Sequence, residues 1–216
     1  MKYLLIIYFA CSSFGFAQVY SVMSYNIKID YPKEGENSWI SRKPFFINQL
    51  KFYDPDVLGV QEAMPNQMKD IDSLMLPYSF VGVGREDGKD EGEYSAIFYK
   101  TEKFKMIKSS TFWLSETPEQ VSMGWDAACN RVCTYTLLEA KVTGEKFWVF
   151  NTHFDHVGKQ ARINSATLIM DKIKAINEDH YPVILTGDFN MEVTHESIKH
   201  IKSTLKDSKE VAQLTF

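Results

Sequence analysis

Four short stretches constrain this chain more than any other feature it has. "MSYNI" (23–27), "LGVQEA" (58–63), "VFNTHFDH" (149–156) and "LTGDFN" (185–190) each run apolar or β-branched and then end in amides, acids or imidazoles. A carboxylate or amide at the end of an apolar strand is costly unless it meets a partner, a cation or a ligand. Asn26, Gln61, Glu62, Asn151, His153, Asp155, His156, Asp188 and Asn190 are therefore the residues whose surroundings need explaining. Strand ends are also where α/β sheets bind ligands, so the four stretches point to one shared site.

The pattern between them is mixed. Residues 19–30 read as a strand, 37–54 as a helix in which Pro44 is tolerable only near the first turn, and 55–63 as a short buried strand. Residues 65–76 place Met68, Ile71 and Met75 at helical spacing. Closely spaced strands follow at 78–84, 94–100, 104–115, 131–142 and 146–154, the last two joined by a hairpin at Gly144. An amphipathic helix (159–177), a buried strand (181–190) and a helix capped by Thr194 (194–205) complete the order. Such an order predicts an α/β fold with helices on the outer faces of one or two packed sheets. With 216 residues, 44% of them hydrophobic, the chain can bury the core of one domain.

Residues 1–17 stand apart. Lys2, the apolar run from Tyr3 to Ala10 and the small residues Gly15 and Ala17 read as a signal peptide cleaved after Ala17, leaving a domain over 18–216. Ser12 and Ser13 interrupt the run well short of the roughly twenty apolar residues a membrane span needs. A secreted or periplasmic protein is expected, with lipid attachment through Cys11 as the alternative. Cys129 and Cys133, if on one strand face, would lie about 13 Å apart, too far for a disulfide unless Cys129 bends away. Net charge is −4, which supplies no broad cationic footprint and argues against a passive DNA-binding module.

The polar residues share one chemistry. Oxygen donors from Glu62, Asn26 and Asp188 suit a hard ion such as Mg²⁺, which binds one or two carboxylates and fills its remaining positions with water and phosphate oxygens. His153 can donate to a phosphoryl oxygen, Asp188 can orient or deprotonate water, and Asn190 can hold a developing oxyanion. Each residue alone also has an ordinary reading: Asn26 as a strand-end amide, Glu62 as a cap for the helix at Pro65, His153 as a core histidine, and "GDFN" as a turn. Four strand ends carrying phosphate- or metal-competent groups outweigh those separate readings.

In this order and spacing the stretches resemble the endonuclease/exonuclease/phosphatase superfamily. "GREDGKDEGEYSAIFY", "STFWLSETP" and "GWDAACNRVCTYT" are similar to a secreted bacterial branch of it. The resemblance implies two packed β-sheets flanked by outer helices, a four-layer sandwich. It also implies Mg²⁺- or Mn²⁺-dependent in-line attack of water on a phosphoester. Glu62 would be the principal metal ligand with Asn26 beside it; His153 would contact phosphate, Asp188 would activate water, and Asn190 would support both. Arg131 is a weaker phosphate candidate, with a surface salt bridge as the alternative, and Glu93 and Tyr94 lie at a cleft position that also suits a solvated turn. Trp113 and Trp125 could stack on a base or sugar ring or be buried.

One departure stands out. The superfamily pattern ends with a Ser-Asp-His segment, and none of the five histidines, His153, His156, His180, His195 and His200, lies in such a context. The expectation is a sandwich missing its last strands, either a fragment of an enzyme or an inactive relative serving as a secreted binding protein. The substrate would be a phosphoester, whether nucleic acid, phospholipid head group or sugar phosphate. No stretch argues for a stable protein partner.

Overall fold

Val22–Asn26 (β1) pairs in parallel with Val57–Gln61 (β2) in a register that sets Asn26 opposite Gln61. On the other side of the molecule Lys146–His153 (β7) pairs in parallel with Val183–Asp188 (β8), setting His153 opposite Asp188. These two parallel pairs carry all four polar-ended stretches and finish at one pole. Tyr78–Val81 (β3) and Ile97–Lys100 (β4) complete the first sheet in the order β1-β2-β4-β3. Phe104–Trp113 (β5) and Val132–Ala140 (β6) complete the second, β5-β6-β7-β8. This computed structural model describes residues 19–212; the segment expected to be a signal peptide, Cys11 and the last four residues lie outside them.

Three apolar layers make the four-layer sandwich expected from the sequence. Helices Trp39–Tyr53 (α1) and Pro65–Leu74 (α2) cover the outer face of the first sheet through Trp39, Phe46, Leu50, Met68 and Ile71. Helices Lys159–Ile176 (α3) and Glu196–Lys202 (α4) cover the second through Ala166, Ile169, Ile173 and Ile201. Between the sheets Val57, Ile97, Phe104, Leu138, Phe147 and Val149 interdigitate. Each such side chain, fully buried, contributes about 2 kcal/mol. A short helix, Ser208–Val211 (α5), follows α4.

A polar staple crosses the inner layer near the site. Asn151 of β7 donates to the carbonyls of Val60 and Ala96 at 2.8 and 2.9 Å, and its Oδ1 accepts from Gln61 Nε2 at 2.7 Å and Thr186 Oγ1 at 3.0 Å. Gly59 makes room for it, since a Cβ there would stand 2.4 Å from Thr186 Oγ1 and 2.7 Å from Asn151 Oδ1.

Several local expectations are corrected. Pro44 lies inside α1, not in its first turn; it is exposed, as is Ile40, whose carbonyl it would have bonded, so water can serve that oxygen. The cap of α4 is His195, whose Nδ1 accepts from Ser197 N at 3.2 Å, in place of Thr194. β8 is mostly half-buried rather than buried, and among the described residues it pairs with β7 alone, at the end of its sheet. Cys129 sits in the loop before β6 while Cys133 lies within the strand, and both are free thiols.

Candidate active site

Two carboxylates at the shared pole are held alike. Glu62 Oε2 accepts from the Ile29 amide at 2.9 Å and Oε1 from Asn26 Nδ2 at 2.8 Å. Asp188 Oδ1 accepts from the Asn190 amide at 3.0 Å and Oδ2 from the same Asn26 nitrogen at 2.9 Å. Each acid thus has one oxygen on a backbone amide and the other on a shared side-chain amide. Glu62 reaches this position with φ 62° and Asn190 with φ 49°. Left-handed backbone at non-glycine residues costs energy that the surroundings must hold in place, and it concentrates at functional sites.

Asn26, expected beside a metal, does lie beside Glu62, but it turns its nitrogen to the carboxylates. Its Oδ1 accepts from the Lys28 amide at 3.0 Å. In this arrangement it orients the two acids. Glu62 does not cap α2, whose N-cap is Met64 with Gln67 Oε1 accepting from its amide. Gly187 is needed for close approach rather than for a turn, since a Cβ there would stand 2.7 Å from the Thr152 carbonyl; the left-handed residue is Asn190.

His153 is buried next to this pair. Its Nε2 lies 3.0 Å from Asn190 Nδ2 and 3.9 Å from Asp188 Oδ2. Asn190 Nδ2 also donates to the Phe154 carbonyl at 2.9 Å. Because Asn190 donates to Nε2, the ring proton belongs on Nδ1, which is buried without a hydrogen-bond partner and 3.8 Å from Glu93 Oε2. Burial, followed by the nearby Arg131 charge, lowers the His153 pKa to about 4, so the ring is neutral at pH 7.

The sequence pattern undervalued the acid-base neighbours of His153. Glu93 is not a solvated turn residue: it is 14% exposed and pairs with Arg85 at 2.8 Å. Burial pushes its carboxyl upward, while Arg85 and Arg131 pull it back. Tyr94 is buried, and its hydroxyl donates to the Lys89 carbonyl. Arg131 is no surface salt bridge either: 5% exposed, it faces fully buried Asp155 at 3.4 Å and His156 Nδ1 at 3.0 Å. Its Nη1 is a second buried donor without a partner. Burial alone would raise Asp155, but the amides of Gly158, Val157 and Ala128, then Arg131, outweigh it and hold the acid at about 2. The only advance signal for Glu93 and Arg85 was the run "GREDGKDEGEY" ahead of a strand.

The nine polar strand-end residues therefore divide. Asn26, Glu62, His153, Asp188 and Asn190 meet at the pole; Gln61 and Asn151 staple the sheets; Asp155 and His156 hold Arg131. Trp113 is buried and donates to the Arg85 carbonyl, and Trp125 is half-buried with φ 52°. A cleft of about 650 Å³ opens beside the acids, lined by Ser24, Asn26, Asp188, Asn190, Met191 and Glu192 among others. Among the described residues no group of three or more His, Cys, Asp and Glu side chains forms a metal cage. What the pole offers is a pair of hard carboxylates, the sparse donor set that suits Mg²⁺ or Mn²⁺ and not a zinc site of imidazoles and thiolates.

Two mixed four-stranded sheets, helices outside and a carboxylate-bearing cleft at the strand ends define the class: a DNase-like α/β sandwich. The chain belongs to the Endonuclease/Exonuclease/phosphatase family, whose sequence model matches residues 23–215. A mannosyl-6-phosphatase of Bacteroides thetaiotaomicron is 41% identical and superposes with a TM-score of 0.83, over 86% of this chain and 70% of that one. A family member from Bacteroides vulgatus is 39% identical with a TM-score of 0.84, over 89% of this chain and 74% of that one. An uncharacterised protein of Acanthamoeba polyphaga mimivirus is 28% identical over 71% of this chain and 60% of its own length. This chain spans less than two thirds of the length of the first curated relatives it matches.

Proposed function

We propose that the protein is a Mg²⁺- or Mn²⁺-dependent phosphoester hydrolase and that phosphorylated sugars are the substrates it fits best. The observation that carries the reading is the pair Glu62 and Asp188, held by one Asn26 amide, with His153 and Asn190 alongside. Glu62 would hold the ion with Asp188 close by, and the ion would supply Lewis-acid polarisation of a phosphoryl oxygen. Asp188 orients the attacking water and accepts its proton. The unpartnered Nδ1–H of His153 and Nη1 of Arg131 donate to phosphoryl oxygens, and Asn190 keeps the imidazole in that tautomer. Likeness to the mannosyl-6-phosphatase favours a sugar phosphate. The net charge of −4 also favours it over a long nucleic acid, whose binding draws on many cationic contacts.

The test is phosphate release by the full-length protein from mannose 6-phosphate and other sugar phosphates, with cleavage of DNA and RNA to shorter oligonucleotides and release of phosphocholine from sphingomyelin followed in parallel. Release with Mg²⁺ or Mn²⁺ and none with EDTA supports the reading. Turnover of none of these overturns it in favour of a secreted binding protein. Glu62→Ala and Asp188→Asn should each lower kcat/KM by about a thousandfold. Export is part of the same proposal, and a mature N-terminus at Gln18, found by mass spectrometry, distinguishes it from lipid attachment at Cys11.

A further inference from the structure

The segment Ile27–Ile29 leaves the end of β1 on the way to α1, and its peptide groups are sorted by direction. Its amides face the strands and the site: Ile27 N donates to the Gln61 carbonyl at 3.1 Å, Lys28 N to Asn26 Oδ1 at 3.0 Å, and Ile29 N to Glu62 Oε2 at 2.9 Å. Its three carbonyls face away, all of them toward Arg42 of α1, and that of Lys28 also accepts from Gln67 Nε2 of α2 at 2.9 Å. Arg42 Nη1 donates to the Ile27 carbonyl at 2.5 Å, and Nη2 donates to those of Lys28 and Ile29 at 3.0 and 3.4 Å. Arg42 Nε meanwhile donates to the Asn37 carbonyl at 2.7 Å, just before α1 begins, and the guanidinium lies over the Trp39 ring at 5.7 Å from its centroid. Lys28 holds φ 60°, a left-handed conformation that needs such restraint.

We propose that Arg42 is a positioning residue for the active site, acting through the Ile27–Ile29 peptides to fix Asn26 and Glu62. A planar guanidinium meets three neighbouring carbonyls at once, which a lysine ammonium on a flexible stem cannot reproduce. Removing it leaves Gln67 as the one remaining side-chain donor to these carbonyls among the described residues, and the Ile27 and Ile29 peptides are freed to rotate, which withdraws the Lys28 and Ile29 amides from Asn26 Oδ1 and Glu62 Oε2. The shared nitrogen of Asn26 then loses its aim at both carboxylates. The claim rests on the metal-dependent hydrolase reading for its consequence, but its geometry has a readout of its own.

The experiment compares wild type, Arg42→Ala and Arg42→Lys by two measurements. The first is amide hydrogen exchange at Ile29 in metal-free protein, where loss of the clamp should speed exchange about tenfold or more while amides in β6 and β7 stay protected. The second is Mn²⁺ binding by calorimetry, where Arg42→Ala should bind about tenfold more weakly, as removal of a group that orients a ligand does. Arg42→Lys should fall between, and methylguanidinium should restore Arg42→Ala but not Arg42→Lys. Unchanged Ile29 exchange in Arg42→Ala overturns the proposal, and so does unchanged Mn²⁺ affinity, even if Tm falls. Should Arg42→Ala not fold, the same readouts on Arg42→Lys decide. If wild type binds no Mn²⁺, the hydrolase reading fails, and Ile29 exchange alone decides whether Arg42 sets the segment.

Discussion

Gln61 Nε2 donates to Asn151 Oδ1 at 2.7 Å, tying the strand that leads into Glu62 to the strand that ends in His153. The two sheets are joined by hydrogen bonds directly behind the residues that would do chemistry. Spacing between Glu62 and His153 depends on that bond and on the bonds Asn151 makes to the Val60 and Ala96 carbonyls. Asn151→Leu should cost about 3 kcal/mol, because four hydrogen bonds are lost at once: Gln61 Nε2 keeps only its longer contacts to Ser24 Oγ and the Gly59 carbonyl, Thr186 Oγ1 loses an acceptor, and the Val60 and Ala96 carbonyls each lose a donor. Urea unfolding followed by circular dichroism measures it; a loss below about 1 kcal/mol would mean the staple is dispensable.

Asn26 is the one donor shared by Glu62 and Asp188. Asn26→Ala leaves the two carboxylates facing each other with no proton between them, so activity should fall about a hundredfold in kcat. KM should change little, since phosphate contacts belong to His153 and Arg131. Asn26→Asp should be worse than the alanine variant, because a third negative charge joins the pair. Steady-state kinetics on the best substrate check the ranking.

His153 is held neutral. Its pKa is depressed to about 4 by burial and the Arg131 charge, so the imidazole should stay unprotonated as pH falls from 7 to about 5. Nitrogen-15 NMR of the ring should show one tautomer, with the proton on Nδ1. Asn190→Ala removes the donor to Nε2 and should mix the tautomers. A histidine titrating near its ordinary value of about 6.5 would contradict the assignment.

Asp155 links pH to stability. Its folded-state pKa, about 2, lies below the unfolded carboxylate value of 3.8, so its contribution is present above pH 4 and is lost as pH falls toward 2. That contribution amounts to about 2 kcal/mol. Asp155→Asn should flatten the acid limb of a stability profile between pH 4 and 2. At neutral pH it should cost about 3 kcal/mol, because Arg131 would keep its charge in a buried place without a counterion. Thermal unfolding across that pH range measures both effects.

What the sequence determined by itself is the set of strands and the groups placed at their ends. β1, β2, β7 and β8 are short apolar runs whose identity is local, and Asn26, Glu62, His153, Asp188 and Asn190 were legible because polar residues ending such runs need partners. Gly59 carried no such signal, and Gln61, flagged as a polar strand end, could not be told from a site residue, for their meaning depends on which sheet lies opposite. A strand's alternation says which residues share a face, yet not whether that face meets water or another sheet. For the same reason Asn151 and His153, two apart on one strand, part company: the first staples the sheets and the second lies beside Asp188. For Arg131 the sequence left a phosphate contact and a surface salt bridge side by side because charge usually means exposure, and only its buried pairing with Asp155 removes the second. Asn26 and Asp188 lie 162 residues apart and meet within 2.9 Å. Tertiary structure decided every such meeting, since local pattern specifies the strands while packing of one sheet on the other brings their ends to one place.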